Sequence, residues 1–315
     1  QEIIKTSAKL VNTWFNKRCK TTETDYVVYI DTDSLYLNVK ALAVAEGITD
    51  IKPFAIKTIS KVSDDLNEFY KIAMVRMFNS TDNRIKIASD VVAVAAFWIK
   101  KKKYAMQKVY DMELNKDIDK LEVKGLDVVR SSFPKKFRGF METLLQHILK
   151  NTPKKDVDLF VLDFKKQIKT FDIQDVAKNT SVKFMSGEDA KQKIDFNPRS
   201  RDPFHFIKGS PAQCKAALAY NDILKHNKIK ETEPILSGGK IKWVYLKDNP
   251  LGLDGLAFKD DGKDPTLVMD MINTYADRNQ IWEKELVKKL TAFYEALNWE
   301  IFREEQETID AFFSF

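Results

Sequence analysis

The sequence has little of what several functional classes require. Its 315 residues include two cysteines and three histidines. Cys19 and Cys214 do not form a metal-ligand spacing, and thiols so placed suit a reduced, cytoplasmic setting. His147, His205 and His226 stand far apart in the chain, which argues against a metal site built on histidine. No apolar run approaches the roughly 18 residues that a membrane helix needs, so no membrane partner is expected. The opening Gln1-Glu2-Ile3-Ile4-Lys5 has no signal-peptide layout. There is no internal repeat and no low-complexity linker.

What is present is a chain that should fold. Hydrophobic residues make up 44% and charged residues 31%, a globular rather than disordered balance, and the length suffices for two compact units. The formal charge of +6 is compatible with a polyanionic partner. Its distribution says more than its total: basic clusters recur at Lys100 to Lys103, at Lys135, Lys136 and Arg138, and around Lys165, Lys166 and Lys169. The first residue is not methionine and the first segment reads as the middle of a helix, the layout expected of a piece of something longer.

Ile4, Ala8, Leu10, Val11, Trp14 and Phe15 follow helical spacing. Tyr26-Val27-Val28-Tyr29-Ile30 and Leu35-Tyr36-Leu37-Asn38-Val39 are β-rich runs flanking Asp31-Thr32-Asp33-Ser34, and predict a hairpin with an acidic turn. A long helix is expected over roughly 53–78, strand-like chain over 85–110, and a short strand over 119–123. Beyond Gly125 the texture turns helical. Pro134 should open a helix carrying Phe137, Phe140, Met141, Leu144, Leu145 and Ile148 on one face. Ser210-Pro211-Ala212-Gln213 looks like a capping box, and 241–246 like an isolated strand. A last long helix carries Ile281, Trp282, Leu286, Leu290, Phe293, Tyr294 and Leu297.

Asp31 and Asp33 are two residues apart, which in extended chain puts both side chains on one face. Two carboxylates on a rigid hairpin favour a hard divalent cation such as magnesium, and magnesium suits phosphoryl transfer. A bare Asp-x-Asp is more often a solvated acidic turn. The apolar strand entering the turn and the aromatic strand leaving it make this pattern narrower. Tyr29-Ile30-Asp31-Thr32-Asp33-Ser34-Leu35-Tyr36 resembles the third polymerase motif, Tyr-x-Asp-Thr-Asp-Ser, of family B DNA polymerases, in particular the replicative enzymes of T-even-type tailed phages. The resemblance implies that Asp33 is a ligand of both catalytic magnesium ions. It also implies that Asp31 lies beside the metals and the primer terminus in a supporting electrostatic role, and that Thr32 positions the primer backbone.

Phe97-Trp98-Ile99-Lys100-Lys101-Lys102-Lys103-Tyr104 is a lysine run with aromatics at each end. Such a run can guard a solvated strand edge or neutralise backbone phosphates. In the family it resembles, a Lys-Lys-x-Tyr element follows the catalytic hairpin and holds the primer; Lys101, Lys102 and Tyr104 match it. Asp90 matches either a further acidic residue near the metals or an ordinary strand aspartate. The segment from Lys124 to Ser132 resembles the passage from palm to thumb, with Lys124 and Arg130 against duplex phosphates. Pro203 to Gly209, Tyr220-Asn221, Gly239 to Leu246 and Asn249-Pro250 resemble thumb segments in the same order. Arg199, Arg201, Lys208 and Lys215 are candidate DNA contacts there, and His205 is either a satisfied core histidine or a further contact.

The last ten residues place Gln306, Ile309, Phe312 and Phe313 at helical spacing, with Phe315 at the end. Such aromatics can fold back on a core or dock in a partner's groove. Their pattern resembles the peptide by which replication proteins dock on a sliding clamp.

The expected fold class is therefore α+β: part of a polymerase palm over 1–125, built of antiparallel strands with helices, a mainly helical thumb over 126–303, and a clamp-binding tail over 304–315. No Asp-x-x-Ser-Leu-Tyr-Pro element, no Lys-x-x-x-Asn-Ser-x-Tyr-Gly helix and no exonuclease acidic motif is present. The resemblance thus implies one essential metal ligand of two, with magnesium ions shared with an aspartate outside this chain. The implied partners are primer-template DNA, an incoming dNTP, a sliding clamp and the missing N-terminal polymerase portion, in the host cytoplasm if the chain is phage-encoded. The rival expectation is a non-catalytic module that binds DNA and a sliding clamp.

Overall fold

The computed structural model describes residues 2–126, 128, 130–184 and 210–301, apart from the side chain of Phe78. The chain divides into two compact units, Gln1–Lys124 and Gly125–Phe315. Among the described residues no helix is long and apolar enough to cross a membrane.

The first unit opens with helix α1 (Glu2–Cys19), which buries Ala8, Val11 and Phe15 and carries Lys17 and Arg18 in its last turn, where they complement the helix dipole. Its polar face organises the next segment. The Asn12 side-chain carbonyl accepts from the backbone N–H groups of Tyr26 and Val27 at 2.8 and 3.0 Å. Asn16 bonds both the N–H and the carbonyl of Thr24. The helix thereby fixes the start of strand β1 (Val27–Ile30), which pairs antiparallel with β2 (Leu35–Leu37). A short helix α2 (Val39–Ala45) and the 28-residue α3 (Ile51–Phe78) follow. Phe15, Tyr26, Val27, Leu42, Val62, Leu66 and Tyr70 form one core cluster. The Tyr70 hydroxyl meets Ser7 at 2.9 Å inside it, so the buried polar pair is satisfied. Strands β3 (Val91–Lys100), β4 (Lys103–Asp111) and β5 (Lys116–Lys124) form an antiparallel meander with β4 central.

In the second unit, α4 (Lys135–Leu149) buries the face that its periodicity predicts. Phe140 stacks on Phe164 of α5 (Lys154–Gln167) at 4.1 Å between ring centres. After α6 (Ile173–Val176), strands β6 (Lys178–Ser181), β7 (Lys240–Tyr245) and β8 (Gly255–Phe258) form a second antiparallel sheet. Helix α7 (Ala212–His226) packs on β8, and its buried Ala216, Ala217 and Ala219 allow a close approach. The unit continues through α8 (Thr266–Tyr275) and α9 (Arg278–Trp282). A π-helical turn (Glu283–Val287) then leads into α10 (Lys288–Ala296). The π turn presents buried Glu285 to Lys178 of β6 at 2.9 Å.

The α+β class is as expected, with four differences in detail. The run 241–246 is not isolated; it supplies the central strand of a sheet whose neighbours are four residues each, one polar and one too short to stand out. The capping box does not form: α7 begins with Pro211 in the cap position and no side-chain cap bond. Ser210, one residue too early, has its hydroxyl buried without a hydrogen-bond partner among the described residues. The expected last helix is interrupted by the π turn. Asp31 and Asp33 lie in the turn between β1 and β2 rather than in extended chain, so the two-residue period does not govern where their side chains point.

Candidate active site and nucleic-acid interface

The acidic turn is closed by the Asp31 N–H donating to the Ser34 carbonyl at 3.0 Å, just beyond the Ile30–Leu35 pair. The two aspartates then differ. One Asp31 carboxylate oxygen accepts from the Thr32 backbone N–H at 2.8 Å and from its hydroxyl at 3.3 Å. The Lys102 ammonium stands 3.8 Å from the same oxygen. The Thr32 N–H, with help from the Lys102 and Lys101 charges, outweighs partial burial and holds the Asp31 carboxyl below its ordinary range. Asp33 is exposed and its carboxylate has no hydrogen bond or ion pair with the described residues.

The lysine run forms a second turn. Lys100 pairs with Lys103 across β3 and β4, leaving Lys101 and Lys102 as a two-residue connection. Lys102 takes a left-handed backbone, φ 62°, where hairpins more often place Gly or Asn. Its N–H donates to the Tyr29 hydroxyl at 2.8 Å. Behind both turns lie four rings: Tyr29, Tyr36, Trp98 and Tyr104, with centres between 5.4 and 6.1 Å apart. The Tyr36 and Tyr104 hydroxyls meet at 2.7 Å. Burial and the Tyr36 contact push the Tyr104 phenol well above its ordinary range, so it stays neutral.

Tyr104 is 1% exposed, and its ring joins the two hairpins from behind. Lys124 lies opposite Tyr104 in the β4–β5 register and holds its ammonium 5.8 Å from that ring. It also lies 3.4 Å from Glu122, which Lys108 binds at 2.5 Å. Burial disfavours the Glu122 charge, yet the bond and charge of Lys108, and then Lys124, outweigh it and hold the carboxyl below its ordinary range. Burial lowers the Lys124 ammonium, but Glu122, Tyr36 and Asp90 together outweigh it and hold the group above its ordinary range.

Asp31, Thr32, Asp33, Lys102 and Tyr104 are thus gathered around one pair of turns, Lys101 shares the basic one, and Lys124 stands on the strand beside Tyr104. Arg130 is exposed in the second unit. Asp90 is exposed immediately before β3, its carbonyl accepting from Met112. Lys208, with Arg199, Arg201 and His205, lies outside the described residues, as do Gln306, Ile309, Phe312, Phe313 and Phe315. The sequence reading missed Tyr29, Tyr36 and Trp98 as connectors. Their alternation along β-rich runs is a core signal, and nothing in it announces which hydroxyl meets which turn.

Asp31 and Asp33 are hard oxygen donors of the kind magnesium prefers, and the free Asp33 carboxylate fits that role. Among the described residues no group of three or more His, Cys, Asp or Glu side chains forms a metal cage. The turn therefore fits as part of a ligand set, not as a whole one.

Over 97% of its length the chain is 24% identical to the DNA-directed DNA polymerase of Enterobacteria phage T4, covering 34% of that protein. It is 22% identical over 91% of its length to the DNA-directed DNA polymerase of Escherichia phage RB69, covering 32%. The chain spans about a third of the length of these relatives. Residues 1–249, most of the chain and including both turns, match DNA polymerase family B, and the chain belongs to that family.

Proposed function

We propose that this chain is the C-terminal part of a DNA-directed DNA polymerase of phage DNA replication: part of the palm, the thumb and a clamp-binding tail. The observation that carries the reading is the exposed, unpaired Asp33 carboxylate in an acidic turn whose Asp31 stands 3.8 Å from Lys102 of the lysine turn, within a segment that matches family B. Asp33 would hold magnesium together with an aspartate from the N-terminal portion outside this chain. Asp31, engaged by Thr32, contributes negative charge beside it. Bound magnesium would supply Lewis acidity to the primer 3′-hydroxyl and the phosphates of the incoming dNTP.

Lys101 and Lys102 neutralise primer phosphates on the solvent side of the aromatic cluster, a sequence-neutral contact suited to copying any template. Lys124, Arg130 and Lys208 are further duplex contacts. Gln306, Ile309, Phe312, Phe313 and Phe315 form the clamp-docking segment. A labelled 306–315 peptide should bind the cognate sliding clamp saturably in fluorescence anisotropy; a flat titration removes the tail from the proposal.

The test of the catalytic reading is Asp33→Ala in the polymerase completed with its N-terminal portion. Primer extension should fall by at least about a thousandfold, since metal-borne charge stabilisation is worth several kcal/mol. Affinity for primer-template should change only a few-fold. Undiminished extension would overturn the reading and leave the DNA-and-clamp-binding module in its place.

A further inference from the structure

The basic turn poses a problem that its own hairpin does not solve. In a two-residue connection closed by the Lys100–Lys103 pair, the Lys102 N–H has no partner across the ladder. A lysine in the left-handed region is also disfavoured relative to glycine. Left to itself, such a turn would exchange among conformations, and the lysine ammonium, at the end of a four-carbon stem, would move with it.

One side chain answers both difficulties. The Tyr29 hydroxyl accepts the Lys102 N–H at 2.8 Å. Its ring is packed against Tyr36, Trp98 and Tyr104, so the hydroxyl oxygen is held in place. Tyr29 pairs with Tyr36 in the β1–β2 ladder, two residues before Asp31. A single residue thus connects the strand that leads into the acidic turn with the backbone of the basic turn. The Lys102 ammonium consequently stands 3.8 Å from the Asp31 carboxylate.

We propose that Tyr29 is a positioning residue for primer binding: its hydroxyl fixes the backbone of the Lys101–Lys102 turn and so sets where the Lys102 ammonium stands relative to Asp31. The proposal rests on the polymerase reading above, and specifically on Lys102 as a DNA contact. Tyr29 touches neither phosphate nor metal in this role. It acts through Lys102.

The experiment is a double-mutant cycle in the completed polymerase with Tyr29→Phe, Lys102→Ala and the pair, read as the dissociation constant for a primer-template duplex at fixed salt. Phenylalanine keeps the ring in the cluster and removes only the acceptor. Tyr29→Phe should weaken binding about fivefold, the loss expected for one net hydrogen bond. Lys102→Ala should weaken it at least as much. The double variant should lose much less than the product of the two single losses, because the hydroxyl reaches DNA only through the Lys101–Lys102 turn. Independent, multiplicative losses would overturn the proposal, as would undiminished binding by Tyr29→Phe beside a weakened Lys102→Ala. If Lys102→Ala itself leaves binding intact, the DNA-contact reading falls and takes this inference with it.

A second measurement does not depend on DNA. In the chain alone, selectively 15N-lysine-labelled, the Lys102 amide should exchange with solvent several-fold faster in Tyr29→Phe than in the wild type. Unchanged protection would show that the hydroxyl does not hold the turn.

Discussion

Asp31 and Asp33 share a charge and a turn, and their surroundings still give them different chemistry. One Asp31 oxygen accepts from Thr32 and faces Lys102, whereas the Asp33 carboxylate has no hydrogen bond or ion pair with the described residues. Glu122 is a third case, a carboxylate committed to the fold. Its side chain is 19% exposed and lies between Lys108 and Lys124. Its carboxyl is held below the ordinary value of 4.5. The stabilisation is therefore fully present above about that pH and is lost as pH falls through the lower, folded-state value. Glu122→Gln should destabilise the chain by about 1–2 kcal/mol at pH 7, the cost of losing a charged hydrogen bond with little solvent screening. The gap from wild type should narrow between pH 5 and pH 3 in urea titrations. A gap constant across that range would mean that the Lys108–Glu122 pair contributes nothing to folding.

The elements differ in how openly the sequence announces them. Helices α1, α4 and the α9–α10 segment were legible because long apolar stripes at helical spacing have few competing explanations, and most of their buried residues are stripe residues, although Leu10 is exposed and Ser7, Asn16 and Glu285 are buried. The acidic hairpin was legible from its two β-rich flanks. The basic turn was not. Lys100 to Lys103 contains none of the Gly, Asn, Asp or Pro residues that mark a turn, and the reversal is sustained by Tyr29, 73 positions away. Local chemistry cannot reveal an acceptor that only the tertiary fold delivers. The same holds for β6, whose Lys-Asn-Thr-Ser is a strand because β7 pairs with it, not because of its propensity. The π turn is a further instance: Glu285 looks solvent-facing by composition, yet that turn carries it inside to Lys178. The candidate site was half legible on the same grounds. Residue types and order pointed to the chemistry, while the aromatic wall holding the two turns together came only from the fold.

For the whole molecule the relevant quantity is charge, since a net +6 spread over 315 residues is too small to hold a polyanion by its sum. If the chain holds DNA as proposed, the affinity comes from where the lysines are concentrated. A contact with a phosphate releases a counterion, so each true contact contributes roughly 0.9 to the slope of log affinity against log salt, whereas a solvated lysine contributes almost nothing. Lys101 and Lys102 sit at the tip of a hairpin beside the acidic turn, with the Lys102 side chain 63% exposed. If both meet phosphates, Lys101→Ala/Lys102→Ala in the completed polymerase should lower that slope by about 1.8 for a primer-template duplex. Lys61→Ala/Lys71→Ala removes equal charge from the exposed face of α3, where both lysines already pair with acidic neighbours. That variant should leave the slope within experimental error of the wild type. Equal slopes for all three proteins would assign the hairpin lysines to edge protection, and parallel losses in both variants would make net charge, not the turn, the determinant of binding.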